Sequence, residues 1–420
     1  MRLRTLLRTP SATVLLPFLL AYVVVLLGEG MTAFITPGYG PSVIGRTVLA
    51  LAPAAAACSA AGAWEAARLR RGRIFDQAPV RRPLAIALPV LLPVWGMGLA
   101  GLTTALLLTS QAAGALPALS HVGMIAAHAA VLAASTLLGY LLGRILPGLA
   151  AAPIAMVAGF CLIGFPVSFD PPWLRHLVAQ AYDSCCEPGR VIDPAAVWSP
   201  LVLATGLCAA ALLIIDPVVK APRVLAIGIT AVASSVAFWL VRDLGYDPVL
   251  ARDSSDVVCD TAGRPTVCLW PETPDRRNVV DLTRTQTARI EAVGIPLPAT
   301  LSASPRTGEG AFGATGVVRS QDVPLRLANL LMPSVPECAR KTGQYPALPA
   351  RGPLTAWLTA TATAQLPQPA PGRYTSEDLA VVKQVMTHPG PTQLAWYEKN
   401  RQALSGCTET PHLELPGAAR

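Results

Sequence analysis

Charge is what this chain has least of. Only 14% of its 420 residues are Asp, Glu, Lys or Arg, while 52% are hydrophobic; that balance excludes an ordinary soluble protein of this length. Lysine is nearly missing, at 4 of the 33 basic residues, with arginine supplying the other 29. Motifs for chemistry are missing too. There is no G-x-x-x-x-G-K-[ST] loop, no H-E-x-x-H and no G-x-S-x-G, so the chain lacks its own nucleotide-hydrolysing loop, a zincin site and a nucleophile elbow. The GEGAFGATG run at Gly308 has no lysine and no flanking strand and helix. His388 and His412 stand alone and read as surface or loop histidines. The expectation is a protein that is not an enzyme, with no catalytic residues, no cofactor and no metal.

The formal charge of +8 is unevenly placed. From Arg242 onward lie 18 of the 33 Lys+Arg and 17 of the 25 Asp+Glu, a net of +1; the first 241 residues hold the remaining 15 and 8, a net of +7. The excess sits on the apolar half, so it orients helices and does not indicate a nucleic-acid partner.

What is present in abundance is long apolar runs. About 20 helical residues cover the roughly 30 Å hydrocarbon core of a bilayer, and seven runs qualify, at about 13–36, 43–63, 84–108, 121–143, 150–168, 198–215 and 224–241. With the N-terminus inside, the inner segments carry 12 basic residues (Arg2, Arg4, Arg8, Arg68, Arg70, Arg71, Arg73, Arg81, Arg82, Arg144, Lys220 and Arg223) and the short outer loops 3 (Arg46, Arg175 and Arg190). Positive residues are retained on the cytoplasmic side, so the reading is a multi-pass protein of the plasma membrane, N-terminus in and C-terminal domain out. Gly28-Glu29-Gly30 is a poor cleavage site, so the first run reads as a retained helix, with residues 1–10 an amphipathic lead-in along the inner surface. Pro53, Pro89, Pro93, Pro153, Gly159, Gly164 and Pro166 fit a closely packed bundle of kinked helices. Glu29, Arg46, Arg144 and Asp216 fall near span ends. His121 and His128 lie seven apart, on one face of the fourth span.

Residues 242–420 contain no spanning run and read as one extracytoplasmic, mainly α domain. Cys259, Cys268, Cys338 and Cys407 form an even set with three possible connectivities. VVCDTAGRPTVC reads as strand, turn and strand, which favours Cys259–Cys268 and leaves Cys338–Cys407; the alternative is four buried thiols. Helices are expected at 274–293, 324–332, 353–364, 376–387 and 391–404, and loops at 299–318 and 365–374. Between the fifth and sixth runs, Trp173, Leu174, Leu177, Val178 and Ala181 form one apolar face of a short outer-surface helix, with Trp173 and Trp198 as anchors. The adjacent Cys185 and Cys186 have three options: a vicinal disulfide, bridges elsewhere, or a metal.

The basic loop between the second and third runs, WEAARLRRGRIFDQAPVRRP over 64–83, holds six arginines and a particular residue order: Trp64-Glu65, Arg68, Arg70, Arg71-Gly72, Asp76, and Ala78-Pro79-Val80-Arg81. This order and its position resemble the first cytoplasmic loop of type-2 ABC-transporter permeases, membrane subunits of ABC exporters, and the resemblance covers about residues 1–216. It implies a coupling helix on which a separate ATP-binding subunit docks, with Trp64, Glu65, Arg68, Arg71, Gly72, Asp76 and Pro79 as its residues. Glu65 and Asp76 would be exposed carboxylates that pair with basic groups of that subunit, and Trp64 an interfacial anchor. The resemblance also implies a homodimer or pseudo-dimer in the lipid bilayer. The seventh run and the exterior domain depart from that family's pattern. The alternative is a seven-span sensor or anchoring protein whose exterior domain binds a ligand or partner without transport.

Overall fold

The computed structural model describes residues 11–28, 35–74, 82–180, 182, 186–218, 221–313, 316–369 and 373–414. Of the residues singled out from the sequence, Arg2, Arg4, Arg8, Glu29, Asp76, Pro79, Arg81, Ala181, Cys185 and Lys220 lie outside these, as does the lead-in at 1–10. The chain divides into two compact units, Met1–Ala251 and Arg252–Arg420, ten residues beyond the division at 241/242 drawn from the end of the last apolar run.

The first unit is a helix bundle. Its elements are α1 (Ser11–Gly28), α2 (Gly40–Thr47), α3 (Leu51–Arg71), α4 (Pro83–Ala113), α5 (Val122–Ile145), α6 (Gly148–Gly164), α7 (Trp173–His176), α8 (Pro194–Ile215) and α9 (Pro222–Val241), with two short strands, β1 (Arg190–Ile192) and β2 (Val249–Ala251). Each of the seven apolar runs contains a helix, although in the first, expected over 13–36, the helix ends at Gly28 and Ile35 and Thr36 are not helical. Among the described residues seven helical segments are long and apolar enough to cross a membrane. The second is longer than expected because α2 and a 3-10 turn lead into α3, giving one segment from Gly40 to Arg71. Proline starts α4, α8 and α9, where its missing N–H costs no intrahelical bond. Asp193 caps α8 by accepting from the Ala195 N–H at 2.8 Å.

Burial singles out α3. Its alanines from Ala54 to Ala67, and Ser59 among them, are almost all buried, and it packs against α4, α5 and α6. Glycines permit the approach. A Cβ on Gly139 or Gly143 of α5 would stand 2.2 Å from the Ser59 carbonyl oxygen or 2.1 Å from that of Ala63, and one on Gly159 of α6 would lie 2.6 Å from Ser59 Oγ. The two α5 glycines are a G-x-x-x-G pair, the spacing that brings helix backbones together. On the other side, α9 packs on α8 with Ser199 Oγ donating to the Ala237 carbonyl at 3.1 Å.

The helix ends gather alternately at the two ends of this bundle. Ser11, Glu65 to Arg71 and Arg144 to Leu146 meet at one. At the other, Tyr39 donates from its hydroxyl to the Arg190 carbonyl, β1 pairs antiparallel with β2, and the His176 ring meets the Gly245 carbonyl at 2.8 Å. The short helix expected from 173 stops at His176, and Ala179 turns the chain at φ 61°. Trp173 meets Phe238 of α9 edge-on at 4.9 Å, while Trp198 is exposed.

The second unit is more than a mainly α domain with one hairpin. Four strands, β3 (Val258–Asp260), β4 (Thr266–Leu269), β5 (Thr300–Ser302) and β6 (Gly310–Ala311), form one sheet in that order. β3 and β4 make the expected hairpin, but β5 and β6 fall in the segment read as a loop, and β4–β5 and β5–β6 are parallel. Helix α10 (Arg276–Ala292) makes the crossover from β4 to β5. Strands of two or three residues carry no periodicity to read, and β5 takes its first partner, β4, from across α10, so this segment's composition offered only its turn residues.

The remaining helices are α11 (Val323–Leu331), α12 (Glu337–Thr342), α13 (Arg351–Thr363), α14 (Ser376–Val385) and α15 (Gly390–Ser405). Five of the six helices lie within two residues of the expected bounds; α12, too short to show a period, had no expectation. Thr375 and Asp378 form a capping box on α14. Around α13 the core closes, with Trp357 fully buried and stacked on Tyr397 at 5.2 Å. Cys259 is bonded to the directly opposed Cys268, and Cys338 to Cys407, the connectivity favoured from the sequence. Arg284 of α10 reaches the hairpin, 2.8 Å from Asp260 Oδ1, and this hydrogen bond holds the Asp260 carboxyl below its usual range.

Candidate functional site

The basic loop begins as helix. Residues 64–71 are the last two turns of α3, Gly72 follows its final residue with its N–H bonded to the Arg68 carbonyl at 3.0 Å, and Arg73 turns left-handed at φ 48°. A helix that ends in arginines places positive charge where its dipole is negative. That is the local reason the sequence can run an apolar helix straight into a basic surface.

Glu65 is where the structure corrects the sequence reading. Expected as an exposed carboxylate, it is 3% exposed and already engaged. Its Oε1 accepts the backbone N–H of Ser11 at 2.7 Å, and its Oε2 lies 3.6 Å from Arg68 Nη1. The first N–H groups of a helix lack partners within it, and here the carboxylate from α3 serves the start of α1. The cause is position on the helix: Glu65 shares the inward face with Ala61, Ala66 and Leu69, all buried, while Trp64 and Arg68 face out.

Arg70 ties a third helix to the same turns. Its Nη1 donates to the Arg144 carbonyl at 2.8 Å and its Nη2 to the Leu146 carbonyl, satisfying the C-terminal end of α5. Nothing in the sequence singled out Arg70 over its neighbours; six arginines in one loop look alike until one meets a carbonyl. Trp64 is 41% exposed, with the Arg71 guanidinium 5.5 Å from its ring centroid, a cation–π contact. The outward surface of this turn is therefore Trp64, Arg68 and Arg71.

Replacing Glu65 with alanine strands the Ser11 N–H and leaves Arg68 without its ion pair. The expected cost is about 1–3 kcal/mol, with Glu65→Gln, which still accepts, losing less. Thermal unfolding of the purified protein in detergent reads both; equal midpoints for Glu65→Ala and the parent would remove Glu65 from this role.

The other candidates fall apart from one another. Cys186 is disulfide-bonded and buried. His128 is 2% exposed, its ring 5.2 Å from that of Tyr182, and His121 sits in a 3-10 turn ahead of α5. His388 bonds locally to Gln384 and Thr387. The His412 backbone N–H and carbonyl are held by the Asn400 side chain. Among the described residues no three His, Cys, Asp or Glu side chains come together as a metal site would require.

No curated protein and no solved structure matches the chain. One family model, described as a domain of unknown function (DUF7224), matches residues 267–407. That stretch opens in β4 beside Cys268 and closes on Cys407, so it holds three of the four cysteines of the second unit and all of its helices. Within these bounds the second unit is similar to the domain of unknown function DUF7224.

Proposed function

We propose that this chain is the membrane-spanning, permease-like subunit of an ABC-type export system, working as a homodimer or pseudo-dimer with a separate ATP-binding subunit. The seven apolar helices cross the plasma membrane with the N-terminus inside, and the disulfide-bonded second unit is extracytoplasmic. The basic end of the bundle faces the cytoplasm, since the retained positive charge of its loops favours that side, and disulfides persist in the oxidising space on the other.

One observation carries this reading: the last two turns of α3 are a mechanical junction. Through Glu65 they hold the start of α1, and through Arg70 the end of α5. Through glycine contacts α3 meets α5 and α6 along its length. A load on Trp64, Arg68 and Arg71 from outside the bundle is passed to four helices at once. A loop that served only to mark the cytoplasmic side would need the arginines and none of these ties.

The test is co-purification. Tagged chain expressed in its native cells should recover a P-loop ATPase subunit in about equal amounts. The double variant Trp64→Ala, Arg71→Glu, which leaves the Arg68–Glu65 pair intact, should lose at least ten-fold of it while eluting normally from a size-exclusion column. Failure of the parent chain to recover an ATPase would remove the export reading and leave the anchoring or sensing one. The bond between α9 and α8 and the independent core of the second unit serve either role.

A further inference from the structure

A narrow cavity of about 190 Å³ lies inside the first unit. Its floor is α5 from Val131 to Leu142, its walls are α6 from Ala155 to Ile163 and α8 from Leu203 to Leu207, and Leu177 and Val178 close one end. Both walls pack on α5 but make little contact with each other, and Leu162 at the rim is 61% exposed. The space therefore reaches the outer surface of the bundle between α6 and α8.

Its chemistry is one-sided. Apart from Ser59 and Ser135, every residue around it is aliphatic or glycine. Both hydroxyls are spent within the bundle: Ser59 Oγ donates to the Ser135 carbonyl at 3.1 Å and Ser135 Oγ to that of Val131 at 2.8 Å. A polar guest would meet no free hydroxyl proton, only the two serine oxygens as acceptors, and would lose most of its hydration without return. Water gains little there for the same reason, since it needs about two to four polar partners to be held. The shape selects further. Eleven residues of helix rise separate Val131 from Leu142, about 16 Å at 1.5 Å each, so the space is long for its volume and suits an extended chain better than a ring system.

We propose that this cavity binds one hydrocarbon chain of a bilayer amphiphile, admitted sideways between α6 and α8. The assignment rests on the membrane reading of these helices, and it narrows the cargo or regulator of the proposed exporter to molecules with an acyl-type tail. A bilayer supplies such tails at high local concentration, and the opening lies on the face of helices that would touch them.

The experiment uses the full-length chain in phosphatidylcholine nanodiscs and a phosphatidylcholine carrying a diazirine at the end of one acyl chain. After irradiation, label should concentrate in peptides covering 131–142, 155–163 and 203–207, saturate with probe, and fall about ten-fold when unlabelled long-chain lipid competes. Ala158→Phe, placed at the wall, should reduce labelling about ten-fold. Val157→Phe, one residue along and 59% exposed on the outside of α6, should leave it unchanged. Label that rises without saturation and spreads equally over outward positions such as Val157 and Val224 is a generic bilayer contact only, and overturns the proposal. The competition arm needs no variant, so a misfolded Ala158→Phe does not leave the question open. Saturable labelling in a chain that recovers no ATPase would keep this site and remove export; recovery of an ATPase without saturable labelling would do the reverse.

Discussion

Gly143→Leu is expected to destroy the helix bundle of the first unit, and Gly139→Leu to do nearly the same. A Cβ at Gly143 would stand 2.1 Å from the Ala63 carbonyl oxygen, 2.7 Å from its Cα and 2.8 Å from its carbonyl carbon. These are backbone atoms of α3, so no side chain can swing aside. Relief requires separating α5 from α3 along the whole contact, because Gly139 meets Ser59 and Gly62 meets Thr136 with equal closeness. Overpacking a core by a few methylenes costs about 1–3 kcal/mol when side chains can adjust; here they cannot, and a loss of more than about 3 kcal/mol follows, a large part of a marginal total. The measurement is monodispersity and thermal midpoint in detergent, with Gly228→Leu as the comparison, since nothing lies within 4 Å of a Cβ there. A Gly143→Leu protein that elutes and melts like the parent would mean that α3 and α5 do not pack this way.

Removing the Cys338–Cys407 bond by the double replacement with serine is the second large effect. The bond spans 69 residues and so encloses α13, α14 and α15 with Trp357, Trp396 and Tyr397 of the core. On the chain-entropy account a loop of that length is worth about 4 kcal/mol, against roughly 2–3 kcal/mol for the nine-residue separation of Cys259–Cys268. Hydrogen exchange at α13 amides is the suitable readout, because protection there reports opening of the core around Trp357 and needs no two-state unfolding of the whole chain. Protection should fall by about three orders of magnitude in the Cys338→Ser/Cys407→Ser protein and by less in the Cys259→Ser/Cys268→Ser one. The opposite ranking, or no change in either, would remove the long disulfide as the main staple.

The legibility of this chain follows from length and period. Runs of 18 or more apolar residues have one helical solution, so all seven helices were readable, and α10, α13 and α15 were marked by proline or glycine near their ends and α14 by Ser376-Glu377-Asp378 at its start. The hairpin of the second unit announced itself through two cysteines around a Gly-Arg-Pro turn. Strands β5 and β6 did not, because Thr300–Ser302 is defined by its partner β4 across a helix, and Gly310–Ala311 by its pairing with β5 alone, not by anything in their own residues. The cavity was equally invisible, since each of its lining residues is an ordinary apolar residue of an apolar helix.

By itself the sequence determined that the first 241 residues form long apolar helices with their positive charge collected at one end, and that a domain with an even set of four cysteines follows. Hydrophobicity, charge and cysteine spacing are local properties and survive without coordinates. Only the tertiary structure decided what the 64–74 turn does with its residues. Two side chains of one helical turn can face opposite ways, and burial is a property of neighbours: Glu65 turned inward to cap α1, Arg70 clamped α5, and Trp64, Arg68 and Arg71 remained as the outward face.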